Sequence, residues 1–160
     1  MSNFPIDQVG YSFTNIDTTQ MFPLNSLQQD QNGNKYIYLK GIGSTVAGSW
    51  VTFDEVGVTT LLGANAIGQV AIAQAATVAN TFGWYLIWGS CQGKVSANFA
   101  DNANIYATAT AGEVDDAVVA GDRVKCAIGR SAISGGLALV QVNYPYMDDG
   151  LASWWINNIL

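Results

Sequence analysis

Few side chains in this chain are equipped for chemistry. None of the 160 residues is a histidine, which removes the commonest general base, metal ligand and physiological pH switch together. Catalysis would have to come from carboxylates, cysteine or lysine. The acidic pairs Asp115-Asp116 and Asp148-Asp149-Gly150 are candidates for acid–base work or for calcium. Neither has the alternating oxygen ligands of a calcium loop, and both sit beside turn signals, where a solvated Asp before Gly is ordinary turn chemistry. Cys91 and Cys126 are separated by 34 residues. With no imidazole to activate either thiol, a nucleophilic role is poor. Cys126 alternates in phase with Val124 and Ile128, which predicts a buried, reduced thiol acting as a small hydrophobe. Two cysteines leave open whether they are bonded to each other. Gly41-Ile42-Gly43-Ser44 lacks the third glycine and following helix of a nucleotide-binding turn. Trp50, Trp84, Tyr85, Trp88 and Tyr106 could form a sugar-stacking platform, but no polar residues converge on them in the sequence, so core or subunit contact is the better reading. We assign no catalytic, metal-binding or cofactor-binding residue.

The elements that would position these residues read as β throughout. From Lys35 onward, short alternating segments are punctuated by Gly, Asn and Asp, the pattern of strands and tight turns. Tyr36–Leu39, Ser49–Phe53 and Val58–Leu62 are predicted strands, the last pairing back across an Asp54-Glu55 turn. Gly68–Ala75 places Val70 and Ile72 on one face and Gln69, Ala71 and Ala73 on the other. Its Ala-rich surroundings favour helix, but Gly68 and the β-branched Val70, Ile72, Thr77 and Val78 favour strand. Trp84–Trp88 is apolar on both faces, as in a central strand. Ile105–Ala109, Arg123–Ile128 and Leu137–Val142 complete the set, and Tyr144–Gly150 is predicted to leave the sheet. Eight or nine short strands at this spacing imply an all-β fold, a small antiparallel barrel or sandwich.

The ends differ from the middle. Residues 1–34 hold widely spaced apolar residues among Asn, Gln, Asp and Thr, with Pro5 and Pro23 interrupting helix. They read as an extended arm and linker, with a turn at Asn32-Gly33. Residues 35–146 form the β-domain, and 147–160 a tail with the length for one or two helical turns. Two adjacent tryptophans near the end of a chain are expensive to leave in water. Phe4, Ile6, Tyr11, Phe13, Met21, Phe22, Trp154 and Trp155 are therefore the candidate contacts to a partner or a second copy.

Charged residues make up 11% of the chain and hydrophobic residues 49%, against roughly 25% charged in an ordinary soluble domain. Between Gly41 and Ala100 the charged side chains are Asp54, Glu55 and Lys94 alone. No apolar run reaches the roughly 18 residues of a membrane span, and Met1–Pro5 lacks the basic start of a secretory signal. A soluble protein of cytoplasm-like compartments is expected. The net charge of −6 argues against direct nucleic-acid binding, because no cationic stripe can form. Five Trp, seven Tyr and six Phe argue for a folded core rather than disorder.

Three stretches, Tyr36–Val58 (YIYLKGIGSTVAGSWVTFDEVGV), Gly83–Gly93 (GWYLIWGSCQG) and Ala109–Ser131 (ATAGEVDDAVVAGDRVKCAIGRS), closed by Pro145-Tyr146-Met147-Asp148-Asp149, resemble in their order and spacing the capsid decoration, or cement, proteins of tailed bacteriophages. The resemblance runs from Tyr36 to Gly150. It implies a non-enzymatic virion protein on the outer surface of the capsid, present in the host cytoplasm during assembly. It further implies a homo-oligomer, a trimer or else a dimer, that bridges major capsid proteins. The alternative is a virion surface fibre or adhesin domain that binds host glycan.

Overall fold

A computed structural model describes residues 12–148. Among them there is no helix, and ten strands form one antiparallel sheet. These are β1 (Leu27–Gln29), β2 (Lys35–Lys40), β3 (Trp50–Phe53), β4 (Thr59–Leu61), β5 (Gly68–Ala73), β6 (Phe82–Lys94), β7 (Asn104–Ala107), β8 (Val114–Asp115), β9 (Arg123–Gly129) and β10 (Leu137–Met147). The main path runs β1-β2-β6-β5-β10-β9-β7-β8, with β3 hydrogen-bonded to β4 and β5. The all-β expectation stands in its sandwich form. The barrel form does not, because the sheet is not closed on itself: β4 pairs with β3 alone, and Lys40 of β2 meets Val58, just before β4, in an isolated parallel bridge.

Alternation explains how one sheet makes two cores. In β2, Tyr36 and Tyr38 face one core while Ile37 and Leu39 face another. β5 divides the same way into Val70 and Ile72 against Ala71 and Ala73, and β6 into Trp84 and Leu86 against Tyr85 and Ile87. Successive side chains of a strand point to opposite faces. A strand apolar at every position therefore requires both faces to be covered, and the sheet folds over to cover them. The larger core also takes Ile105, Val114, Val124, Val140 and Met147 from the later strands.

The sheet forks in the middle of β6. Tyr85 and Leu86 pair with Ala73 and Ile72 of β5, whereas Trp88–Lys94 pairs with Asn143–Leu137 of β10. β10 then crosses to β5, where Tyr146 and Met147 pair with Gln69 and Gly68. The expectation that the chain leaves the sheet at Tyr144 is corrected: β10 continues to Met147. It does so through an irregularity between Val142 and Tyr146, with Tyr144 in a left-handed conformation at φ 49°. Pro145 falls inside this break in the register, where its missing N–H interrupts no ladder bond.

Two further elements and one burial differ from expectation. Leu27–Gln29, assigned to the arm and linker, is an edge strand paired with Ile37–Lys35, and the expected Asn32-Gly33 turn is the connection of that hairpin. Val114–Asp115 is a short strand not anticipated from alternation, paired with Ala107 and Tyr106. Cys126 is exposed rather than buried. Its φ of 60° shifts the phase of β9, so that Val124 and Ala127 enter the core and the cysteine does not.

Candidate docking cleft

The arm candidates divide according to where the fold places them. Phe13 stacks on Tyr36 with ring centroids 4.1 Å apart and meets Trp84 edge-on at 5.6 Å. Phe22 packs against Tyr38 at 5.3 Å and Trp84 at 5.5 Å. Phe13 is buried in the chain's own larger core, which corrects its reading as a contact offered to a partner, while Phe22 is partly buried and packs against that core. Polar bonds pin the same segment down. The Tyr38 hydroxyl donates to Asp17 Oδ2 at 2.6 Å and accepts from the Met21 N–H at 3.2 Å, and Asp17 exchanges two backbone bonds of 2.9 Å with Phe82. Met21 itself is 62% exposed. Phe4, Ile6, Tyr11, Trp154 and Trp155 lie outside the described residues.

The five aromatics considered for a sugar platform are also separated. Trp50, Trp84, Tyr85 and Tyr106 are buried, and Trp88 is partly exposed. A pleated strand sends Trp84 and Tyr85 into different cores and leaves Trp88 outside, beyond the end of the covered region. Among the described residues, no three His, Cys, Asp or Glu side chains cluster as a metal site would need. Asp116 accepts from the Ala100 N–H at 3.0 Å, and Asp148 pairs with Lys125. Asp122 is buried, with the Asn65 N–H donating to its Oδ1 at 2.6 Å.

A concavity lies where the second core opens. Ile37 and Ile87, buried members of that core, line a cleft of about 1130 Å³, at or above the roughly 300–1,000 Å³ typical of ligand sites. Its walls are Leu27, Phe53, Val58, Ile67 and the β10 segment Tyr144–Met147. Ile67 is 67% exposed and Leu27 60%, and Tyr144 and Tyr146 are also exposed. Isolated exposed apolar residues mean little, whereas a contiguous group around a concavity marks a docking surface.

Two carboxylates, Asp54 and Glu55, line the cleft, and no Lys or Arg is among its lining residues. The Asp54 carboxylate accepts from the Val56 and Val58 N–H groups at 3.1 and 2.8 Å, so it also shapes the turn into β4. Beside the β10 wall, Lys35 Nζ lies 5.5 Å from the Trp88 ring centroid and 5.8 Å from that of Tyr144. Lys125 sits 5.9 Å from the Tyr146 ring, and its bond to Asp148 holds its pKa above the ordinary lysine value. A lining of this kind, mostly apolar with a few polar groups, suits an apolar or aromatic ligand.

The cleft was not legible in the sequence. Ile67 precedes β5, Phe53 ends β3 and Tyr144 lies within β10, and alternation within each strand does not say that these positions meet. A weak signal existed in Ile67, an isolated large apolar residue between Asn65 and Gly68 in a turn region. Comparison of the chain with family models, curated proteins and solved structures finds no match.

The two thiols differ enough to be told apart chemically. Cys91 packs at the edge of the larger core, and burial pushes its pKa up to about 12, whereas Cys126 is exposed. The thiolate is the reacting species. A thiol reagent at neutral pH is therefore expected to add one label in the folded protein, at Cys126, and a second, at Cys91, after denaturation. Mass measurement before and after denaturant checks this, and two labels on the native chain would contradict it.

Proposed function

We propose that this chain is a structural assembly subunit, a capsid decoration or cement protein that associates with itself and bridges major capsid proteins on the outside of a phage head. The observation that carries the proposal is the exposed apolar surface around the cleft, on a domain whose middle holds almost no charge. Such a surface can be covered by a partner with little loss of solvated charge. The motif resemblance names the scaffold. On a shell, many modest contacts act together, so a subunit of this size need not bind tightly one copy at a time. No chemistry is asked of the side chains in this reading.

Purified protein is expected to add to shells that lack it and to raise the temperature at which they rupture. A chain that ignores such shells ends the proposal. Met21 is the exposed candidate contact of the described arm, so Met21→Asp is expected to weaken attachment about tenfold, equivalent to about 1.4 kcal/mol, without moving the melting temperature. Phe13→Ala, by contrast, is expected to lower stability, because Phe13 packs inside the domain.

A second reading, a virion surface domain binding host glycan, is favoured by one observation. Trp88 and Tyr144 are exposed, each within cation–π range of Lys35, and Tyr144 also lines the cleft with the polar Gln69, Thr52 and Thr60. Trp88→Ala with Tyr144→Ala would then abolish adsorption to host cells while leaving shell stability intact.

A further inference from the structure

We propose that the cleft is closed by the chain's own segment 151–160, which lays Trp154 and Trp155 against its apolar walls. The proposal goes beyond the assembly reading and does not rest on it. Met21 and Val56, 62% and 59% exposed, lie outside the cleft lining and stay open to a partner with the segment in place.

The described chain ends beside the cleft. Met147 lines it, and Asp148 is the last described residue. Trp154 stands seven residues after Met147, a reach of up to about 23 Å at roughly 3.3 Å per residue. That length spans a cavity of about 1130 Å³. Counted from Asp148, whose side chain pairs with Lys125, the reach is still up to about 20 Å.

The lining suits this segment. Asp54 and Glu55, with the side-chain oxygens of Asn25, Thr52, Thr60 and Gln69, make the cleft acidic and rich in acceptors. The sequence LASWWINNIL has no ionisable side chain, so it sets no negative charge against those carboxylates. It brings N–H donors instead, on the two indoles and on the Asn157 and Asn158 amides. Buried indole N–H groups need acceptors, and bonds to an ionised acceptor are the stronger ones. Size agrees as well, because the cavity exceeds the roughly 300–1,000 Å³ of small-ligand sites. Two tryptophans bury about 300–500 Å² between them.

Two other occupants fit less well. Segment 1–11 carries Asp7, a like charge to the lining, and the chain that follows it enters the larger core at Phe13, stacked on Tyr36. Tyr36 and Ile37 point to opposite faces of β2, and it is Ile37 that lines the cleft. A second copy offers the same ten residues, but only at its bulk concentration. A short tether that spans the distance holds a segment at an effective concentration on the order of millimolar. At micromolar protein the chain's own segment is therefore favoured about a thousandfold.

Hydroxyl-radical oxidation of the full-length chain, read by mass spectrometry at each aromatic residue, tests the seating. Ile67→Asp damages the cleft at a position 67% exposed, and a seated segment would have to desolvate the new charge. Trp154 and Trp155 are expected to oxidise about tenfold more slowly in the wild type than in that variant. Tyr144→Asp is a second cleft variant, since Asp tolerates the left-handed backbone there. Conversely, Trp154→Ala with Trp155→Ala should speed the oxidation of Tyr144 in an intact cleft. Protection should be the same at about 0.1 and about 10 micromolar protein, because a tethered contact does not depend on concentration. Tryptophans that oxidise equally in the wild type and both cleft variants overturn the proposal, as does a Tyr144 rate that the double variant leaves unchanged. Protection lost on dilution also overturns it and assigns the cleft to a second copy. Attachment to shells, measured separately, decides the capsid reading, so failure of one is distinguishable from failure of the other.

Discussion

Trp84→Ala is expected to lower the unfolding free energy by about 3–5 kcal/mol, the range for removing a large aromatic from a core. That is a large share of the roughly 5–15 kcal/mol by which a domain is stable at all. Trp84 is 1% exposed. Its ring touches Tyr38 at 5.1 Å in addition to Phe13 and Phe22. It therefore joins β6 to β2 and both strands to the segment before β1. Removing it opens a cavity and takes away the surface on which that segment lies. Proteolysis near Phe13–Phe22 should accelerate together with the fall in the denaturant midpoint. The indole Nε1 is buried without a hydrogen-bond partner. Trp84→Phe, which retains most of the ring area and removes that unpaired donor, should accordingly cost much less than the alanine variant. A loss below about 1 kcal/mol for Trp84→Ala would contradict this account, since full aromatic burial alone is worth more.

Asp30→Ala is expected to cost about 2–3 kcal/mol, because one carboxylate organises both the first hairpin and the fork in the sheet. Its Oδ1 accepts from the Asn32 and Asn34 N–H groups, each at 2.9 Å. Its Oδ2 accepts from Asn34 Nδ2 at 2.8 Å and from the Tyr36 hydroxyl at 3.0 Å. Hydrogen bonds to a charged group are each worth roughly 1.5–3 kcal/mol and are not additive. Asn34, so oriented, accepts from the Ser90 N–H at 3.1 Å, just past Gly89, where β6 passes from β5 to β10. Gly89 has φ 114°, and a Cβ there would come within 2.1 Å of Asn34 Oδ1, so only glycine admits this contact. Chemical denaturation of Asp30→Ala and Asp30→Asn, which keeps one of the two acceptor oxygens, tests the claim. Equal stability of the alanine variant and the wild type would refute it.

The same network sets an alkaline limit. Burial, followed by the bond to Asp30 and its charge, raises the pKa of Tyr36, and burial raises that of Tyr85. Above about pH 10 the unfolded tyrosines release protons that the folded ones keep, so the unfolded state binds fewer protons and stability falls as pH rises. Cys91 acts in the same sense, starting lower, from the ordinary thiol range near pH 8.5. The stabilising contribution of these groups is fully present below those values. Tyr36→Phe should flatten the decline above about pH 10 and leave the earlier part unchanged.

Period-2 alternation is local, and for that reason much of the fold was readable before any contact was known. Tyr36–Leu39, Trp50–Phe53, the start of β5 and Arg123–Ile128 were strands on pattern alone, and the division of Val70 and Ile72 from Ala71 and Ala73 followed from the pleat. Absence of histidine and the scarcity of charge in the middle of the chain are likewise properties of the sequence itself. Alternation says which residues share a face, but not what covers that face. Only folding of the sheet over itself decided that Trp50, Trp84 and Tyr85 are interior while Trp88 and Tyr144 stand outside. Nor does it reveal a shift in phase: the left-handed residue at Cys126 turned an expected core thiol outward, and the break around Tyr144-Pro145 carried β10 on to Met147. Phe13 and Phe22 read as free aromatics until the rings of Tyr36, Tyr38 and Trp84 were assembled from separate strands to receive them. The cleft is the clearest case, because its walls come from strands distant in the chain. Its existence depends on where those strands meet, a non-local sum of contacts that no single segment encodes.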